Sequence, residues 1–254
     1  MDRADYAEIL VVGDNVSLVE DAYTDYGLSL YIRVSTGGAE KRLLFDVSGS
    51  PWMLLHNARL LGIDVTDVDY VVISHMHRDH YAALAPLATL LNPRRVYLPE
   101  PRGVSQRVSE VLEGVRVEKT VYVRRRAVIA PGVTLIGPVA SSGEVSVLVE
   151  AAGLRILLIA CGHAPVKQVI YWAGGGRFDV VAGGFHLKNA TRSYIEELAG
   201  LLYEKAGITI GLHCSHWGAG LLKMLLGTRY IDGGVGLRIV ADRLGLQLYP
   251  QPSL

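Results

Sequence analysis

The sequence predicts an α/β protein, a four-layer αββα sandwich formed by a single domain over residues 1–254. Each half of the chain begins with short strands joined by turns and ends with strand–helix units. Hydrophobic residues make up 50% of the chain and charged residues 20%, which is typical of a globular protein with a substantial core. Because no linker or short-period repeat interrupts this pattern, we expect one domain.

The N-terminal half is predicted to contain antiparallel strands followed by strand–helix units. Runs rich in β-branched and aromatic residues predict strands at 7–13, 28–34 and 41–46. Gly37-Gly38 predicts a hairpin turn between the last two strands. A helix over 52–61 follows Pro51 and ends at Gly62. The remaining elements of this half are a strand at 68–74, a helix at 82–91 and a strand at 96–98.

The C-terminal half repeats the pattern. Predicted strands lie at 115–117, 121–123, 133–136, 145–150, 154–160, 178–183 and 208–212. A helix over 165–173 follows the turn at Cys161-Gly162-His163, and an amphipathic helix covers 191–206. Thr191 is the predicted cap of the second helix and Gly207 its end.

Histidines gather where predicted strands end. The window His75-Met76-His77-Arg78-Asp79-His80 holds three of the eight histidines, directly after the strand at 68–74. Imidazole and carboxylate are ligands that borderline divalent cations such as zinc prefer. In an extended loop His75 and His77 point the same way, and Asp79 and His80 can turn toward a second ion. The histidines at or just after strand ends are His75, His77, His80, His163, His186, His213 and His216.

Charge and composition exclude several classes of function. Lys plus Arg and Asp plus Glu number 25 each, so no overall field attracts nucleic acid. No uninterrupted apolar run approaches the roughly 18 to 20 residues that cross a bilayer. Cys161 and Cys214 do not form a disulfide scaffold and are expected to be reduced thiols. We therefore expect a cytoplasmic protein whose partner is a small molecule, without nucleic acid or membrane binding.

The motif H-x-H-x-D-H after an apolar strand, with Phe45-Asp46 followed by Gly49, resembles the metallo-β-lactamase superfamily over essentially the whole chain. The resemblance implies two divalent metal ions between the sheets, zinc first, with magnesium or manganese as alternatives. Asp46 would accept an imidazole N–H and fix the tautomer of a ligand. The implied ligands are His75, His77 and His163 for one ion and Asp79, His80 and His213 for the other.

Three further segments resemble a narrower group, the 7,8-dihydropterin-6-methyl-4-(β-ribofuranosyl)aminobenzene 5′-phosphate synthases of methanopterin biosynthesis. They are Gly162-His163-Ala164 after Cys161, the run Gly183-Gly184-Phe185-His186-Leu187, and His213-Cys214. This resemblance implies a transferase reaction in which an arylamine nitrogen attacks a dihydropterin diphosphate and displaces diphosphate. Asp79 and His186 would act in catalysis. Candidate substrate contacts are His186 and Lys188 for phosphate and Trp217 for stacking a heterocycle.

Several alternatives stay open at this point. The same site suits a metal-dependent hydrolase of a small ester, lactone or phosphodiester, and a non-catalytic metal-binding module also fits the ligands. His186, Trp217 and Asp46 could be packing or turn residues and Lys188 a solvated one. The bridging aspartate of the wider superfamily is not evident in residues 137–160. The sequence does not decide what replaces this aspartate. It also leaves open whether Cys161 or His216 contacts metal and whether the protein forms a homo-oligomer.

Overall fold

The computed structural model of the protein describes residues 3–100, 119–139, 143–216 and 218–249. Strands and helices alternate in the N-terminal half. The strands are β1 (Tyr6–Gly13), β2 (Ser29–Thr36), β3 (Ala39–Phe45), β4 (Tyr70–Val72), β5 (Arg95–Pro99) and β6 (Lys119–Val123). The helices are α1 (Pro51–Leu60), α2 (Arg78–Tyr81) and α3 (Leu84–Leu91).

The C-terminal half adds nine strands and three helices within the described residues. The strands are β7 (Arg126–Ala130), β8 (Val133–Val139), β9 (Glu144–Ala151), β10 (Leu154–Ile159), β11 (Phe178–Gly183), β12 (Ala206–Gly211), β13 (Tyr230–Asp232), β14 (Arg238–Asp242) and β15 (Gly245–Tyr249). The helices are α4 (Val166–Trp172), α5 (Arg192–Lys205) and α6 (Ala219–Leu226). None of the helices in the described part of the chain combines the length and apolarity needed to cross a bilayer.

The strands form two sheets. The first has the order β15-β14-β1-β2-β3-β4-β5-β6 and the second the order β13-β12-β11-β10-β9-β8-β7. Within them β3, β4 and β5 run parallel, as do β10, β11 and β12. Because parallel strands end at the same edge, the loops after β3 and β4 lie together, and so do those after β10, β11 and β12.

Three hydrophobic clusters define four layers. The inner cluster lies between the sheets and includes Ile9, Ile32, Val147, Leu158 and Ile210. Leu54 of α1 and Leu87 of α3 pack in a second cluster on the outer face of the first sheet. Leu198 and Leu202 of α5 pack with Phe178 on the outer face of the second sheet. This confirms the predicted αββα sandwich.

Local signals in the sequence account for several element ends. Ser50 Oγ accepts the N–H of Met53 at the start of α1, with Pro51 in the first helical position. Thr191 caps α5 by accepting the N–H of Tyr194. The predicted strand at 178–183 matches β11, whereas the predicted strand at 115–117 lies outside the described residues.

Two local predictions are wrong. Residues 75–80 do not form a loop throughout, because the chain enters α2 after His77, and Asp79 and His80 lie on this short helix. Gly207 does not end α5; the helix ends at Lys205 and the backbone becomes extended at Ala206 to form β12. In the second case, parallel pairing of β12 with β11 takes the glycine into the sheet.

Candidate metal centre

Three imidazoles converge after β4 and β10. His75 Nε2 and His77 Nδ1 lie 3.0 Å apart. The ring of His163 has its centroid 4.8 Å from that of His75 and 4.7 Å from that of His77. Two nitrogen ligands of a tetrahedral zinc ion lie about 3.3 Å apart, given zinc–nitrogen distances of about 2.05 Å. The structure thus brings together the three histidines predicted for one metal ion.

A second group lies beside the first. Asp79 Oδ2 is 3.3 Å from His80 Nε2 and 3.3 Å from His213 Nε2, and the centroids of the His75 and His80 rings are 4.2 Å apart. His80 and His213 are completely buried. The structure therefore brings together the ligands predicted for a second ion, adjacent to the first.

Among the described residues, three of the ring nitrogens that face this centre make no hydrogen bond. They are the buried Nε2 atoms of His80, His163 and His213. Asp79 Oδ2 lies 3.3 Å from the first and the last of them, outside hydrogen-bond geometry. A buried polar atom left unpaired costs about 1–3 kcal/mol, which coordination of a cation would offset. The donor set of imidazoles, one carboxylate and nearby thiols is one that zinc prefers. The residues present therefore fit divalent metal ions.

Asp46 holds imidazoles of both groups. Its Oδ2 accepts His80 Nδ1–H at 2.6 Å and the hydroxyl of Ser74 at 2.6 Å, and its Oδ1 accepts the backbone N–H of Ser74 at 2.7 Å. Since the Ser74 hydroxyl donates to Asp46, its oxygen accepts from His75 Nδ1 at 2.9 Å. Both hydrogen bonds engage Nδ1 and leave Nε2 directed toward the centre.

The sequence analysis missed Asp14 and Asn15, which follow β1 and hold His213. Asp14 Oδ2 accepts the backbone N–H of His213 at 2.9 Å, and Asn15 Oδ1 lies 3.0 Å from His213 Nδ1. Asp14 Oδ1 also lies 2.8 Å from His216 Nε2, so this His216 nitrogen is engaged with a carboxylate. The available signal was a pair of polar residues, Asp14 and Asn15, at the end of a strand. Their partner His213 is distant in the sequence, so the signal did not indicate their role.

Glu144 is the second residue that the sequence analysis missed. This completely buried carboxylate accepts the backbone N–H groups of Cys161, Gly162 and His163 at 2.8, 3.1 and 2.7 Å. A fourth bond, from Ala164, measures 3.4 Å. The carboxylate therefore fixes the turn after β10 that carries Cys161 and His163. An acid at the start of a strand gives no sequence signal for this role.

We expect Glu144→Gln to lower the free energy of unfolding of the metal-free protein by about 3 kcal/mol, because hydrogen bonds to a charged acceptor are worth roughly 1.5–3 kcal/mol each. The amide NH₂ of glutamine cannot accept hydrogen bonds from the backbone N–H groups that it would face. Urea denaturation measures the change. Glu150→Gln, at the other end of β9, is the control: Glu150 makes a partly exposed ion pair with Arg155 at 3.5 Å, so a loss below about 1 kcal/mol is expected. Equal losses would contradict the prediction.

Glycines let the turns after β10 and β11 pack through their backbones. A Cβ on Gly183 would lie 1.8 Å from the carbonyl oxygen of Ile159, and one on Gly162, whose φ is +79°, would lie 2.7 Å from that of Gly184. A Cβ on Gly184 would lie 2.7 Å from the carbonyl oxygen of Ala160, so both glycines of the run at 183–187 are required by close backbone contacts. Phe185 enters the core completely, and His186 is left exposed at the metal centre.

The predicted substrate contacts differ in where the structure places them. The ring of His186 has its centroid 4.5 Å from that of His163, and its Nδ1 lies 4.0 Å from Cys161 Sγ. Lys188 is exposed two residues further along the same loop. Trp217 lies outside the described residues. His186 is therefore the predicted substrate residue that the structure brings to the histidine cluster.

The two groups of imidazoles differ in protonation. Burial and neighbouring imidazoles lower the pKa of His75 well below its usual value and that of His163 to about 4. Burial alone would lower the pKa of His80, but the carboxylates of Asp46 and Asp79 outweigh it and raise this pKa to about 10. Burial would raise the pKa of Asp79, but its contacts with the histidines hold it well below its usual value. His75 and His163 are thus neutral near pH 7, the form that binds metal.

Three residues of the centre have a left-handed backbone. The φ angles of Asp46, His186 and His213 are +59°, +50° and +45°. Such conformations cost of order 1–3 kcal/mol each in residues other than glycine and persist where surrounding contacts enforce them. For Asp46 and His213 these contacts are the hydrogen bonds described above, so the strain coincides with the candidate centre.

Comparison with known proteins agrees with this geometry. The family profile described as the metallo-β-lactamase superfamily matches residues 7–178, more than half of the chain, and the chain therefore belongs to that superfamily. The curated 7,8-dihydropterin-6-methyl-4-(β-D-ribofuranosyl)-aminobenzene-5′-phosphate synthase of Methanocaldococcus jannaschii is 34% identical over 70 residues. That match covers 28% of this chain and 24% of the synthase, about a quarter of the relative's length.

Solved structures share the fold at low sequence identity. The metallo-β-lactamase fold protein YhfI from Bacillus subtilis has a TM-score of 0.65 at 13% identity, covering 93% of this chain and 100% of that one. Zn²⁺-bound PqqB from Methylobacterium extorquens has a TM-score of 0.61 at 15% identity, covering 91% and 99%. A diphosphatase from the PhnP family has a TM-score of 0.61 at 16% identity, covering 91% and 96%. At these identities the likeness establishes the fold alone.

Proposed function

We propose that this protein is a dinuclear metal-dependent transferase that joins a dihydropterin diphosphate to a ribofuranosyl-aminobenzene phosphate and releases diphosphate. The observation that carries the metal-dependent part is the set of buried Nε2 atoms of His80, His163 and His213, which make no hydrogen bond with the described residues. Support for the pterin substrate comes from the partial match to the Methanocaldococcus jannaschii synthase and from the run at 183–187.

The chemistry divides between the metal ions and the chain. Two divalent cations held by these residues would neutralise charge on a diphosphate leaving group. The reaction forms a carbon–nitrogen bond, breaks a carbon–oxygen bond and removes one proton from the arylamine nitrogen. We assign this proton transfer to His186, which is exposed beside His163, and the pairing with diphosphate to Lys188. The chain otherwise acts by positioning the two partners.

The test combines a dihydropterin diphosphate, an arylamine acceptor and the zinc-loaded protein. We expect diphosphate release only with both substrates, its loss after chelation and its return with zinc. Lys188→Ala is expected to raise KM for the diphosphate substrate about tenfold, equivalent to about 1.4 kcal/mol, with metal content unchanged. Lys205→Ala is the control, because Lys205 precedes β12 whereas the candidate ligand His213 follows it. Its KM should match that of the wild type.

The alternative is a metal-dependent hydrolase of a small ester, lactone or phosphodiester, because paired cations can also activate water. Efficient hydrolysis of such substrates, together with no quenching of pterin fluorescence by the protein, would support the hydrolase and contradict the transferase. Two bound metal ions without turnover of any of these substrates would favour a non-catalytic metal-binding module. Each outcome can be read from the same purified protein.

A further inference from the structure

We propose that the thiolate of Cys161 bridges the two metal positions, where the wider superfamily places an aspartate. Cys161 would then be a ligand shared by both metal ions. The proposal rests on the metal-dependent part of the proposed function and is independent of the substrate.

The position of Cys161 carries the proposal. Its Sγ lies within 4.8 Å of ligand nitrogens of His75 and His163 on one side, and within 4.8 Å of those of His80 and His213 on the other. The side chain is buried, with 3% of its surface exposed. Among the described residues, Cys161 is the member common to both groups. His80, His163 and His213, whose buried Nε2 atoms make no hydrogen bond within the described part of the chain, belong to these same groups.

Buried carboxylates behind the centre already have other partners. Asp14 accepts from His213 and contacts His216. Asp46 binds Ser74 and His80, and both oxygens of Glu144 accept backbone N–H groups. Glu144 in fact fixes the backbone N–H of Cys161 itself at 2.8 Å. The turn is therefore built to hold a thiol, and not these acids, between the two groups.

A sulfur bridge has consequences for the choice of metal. Zinc–sulfur bonds are about 2.3 Å long, and thiolate ligands favour zinc and other soft or borderline cations, whereas magnesium and manganese favour oxygen ligands. The proposal thus selects zinc from the three cations that the sequence leaves open. A buried thiolate needs positive charge nearby, which the two cations would supply.

Cys214 provides the matched control, since the chain has two cysteines. Its Sγ lies 2.9 Å from that of Cys161 and 3.4 Å from the hydroxyl of Tyr26. It shares a group with Cys161 and His186 but not with the ligand pairs on the two sides. Cys214 is therefore as buried as Cys161 and adjacent to it, but it belongs to neither ligand pair.

The test is NMR of the protein loaded with two equivalents of a spin-active cadmium isotope under reducing conditions, because the chemical shift of each cadmium ion depends on its sulfur ligands. We expect two resonances with shifts typical of sulfur coordination. In Cys161→Ser both resonances should move to values typical of nitrogen and oxygen ligands. The weaker site should lose at least about tenfold in metal affinity, because mutation of a residue that only hydrogen-bonds to a ligand already costs about that much. Cys161→Asp should restore two bound ions without the sulfur shift.

Three results would overturn the proposal. A Cys161→Ser variant in which one resonance moves and the other does not would make Cys161 the ligand of one ion. Unchanged resonances in Cys161→Ser, with altered ones in Cys214→Ser, would assign the sulfur to Cys214. Two bound ions with no sulfur shift in the wild type would exclude a thiolate ligand. In all three cases metal still binds, so the proposed function stands although the bridge does not. If no metal binds at all, the proposed function fails together with the bridge.

Discussion

Asp79→Asn is expected to bind about one metal ion per chain in place of two and to keep its fold. Asp79 Oδ2 lies 3.3 Å from the Nε2 atoms of both His80 and His213, so it is the carboxylate of the second group. A neutral amide has the same shape but is a far poorer ligand. Because neutralisation of charge by a metal ion is worth several kcal/mol, turnover should fall about a thousandfold. Metal analysis after dialysis and steady-state kinetics measure the two effects.

The fold should persist because the histidines keep their other contacts. Asp46 still holds His80 through Nδ1, and Asp14 and Asn15 still hold His213. Asp232→Asn is a suitable control, since Asp232 is an exposed carboxylate paired with Lys223 on the surface. It should bind two ions. Two tightly bound ions in Asp79→Asn would show that Asp79 is not a ligand, and a lost thermal transition would show that it stabilises the fold.

The layers of the fold could be predicted from local pattern, whereas the strand order could not. Alternation of short strands with helices indicated two sheets covered by helices. The pairing of β1 with β14, for example Ile9 opposite Ile239, joins opposite ends of the chain and leaves no local signal. The segments β14 and β15 are also short, with five residues each.

The candidate ligands could be proposed from residue type and placement together. His75, His77, His163 and His213 follow strands, and the ends of parallel strands meet. The residues that hold them were harder to find. Glu144 and Asp14 act by accepting backbone N–H groups of turns that are remote in the sequence. Such a role depends on tertiary packing and not on any spacing within the chain.

Cys161 shows a different limit of sequence reasoning. Its neighbourhood in the sequence, between β10 and His163, is compatible with either a packed thiol or a ligand. Only the convergence of the two sheets places Sγ near both pairs. Each pair combines a residue that follows β4, His75 or His80, with one that follows a strand of the second sheet, His163 or His213. The missing bridging carboxylate was visible in the sequence, whereas its replacement depended on three-dimensional distances.

Asp46→Ala is expected to lower the free energy of unfolding by about 3–5 kcal/mol, the usual cost of removing one partner of a buried charged pair. Asp46 is completely buried and accepts from Ser74 twice and from His80 once. Its removal leaves those donors unpaired and His80 without its nearest counter-charge. Chemical denaturation of the metal-free protein measures this loss separately from any effect on metal binding.

Asp46→Asn separates stability from tautomer control and should bind metal about 10- to 100-fold more weakly while losing less stability than Asp46→Ala. Asparagine fits the site and tolerates the φ of +59° at this position. Its carbonyl oxygen can still accept the backbone N–H of Ser74, but its NH₂ group would donate to His80 Nδ1. That bond would move the imidazole proton to Nε2, the nitrogen that faces the metal position. Competition with a zinc-sensitive dye measures the affinity, and wild-type affinity in Asp46→Asn would contradict the assigned role.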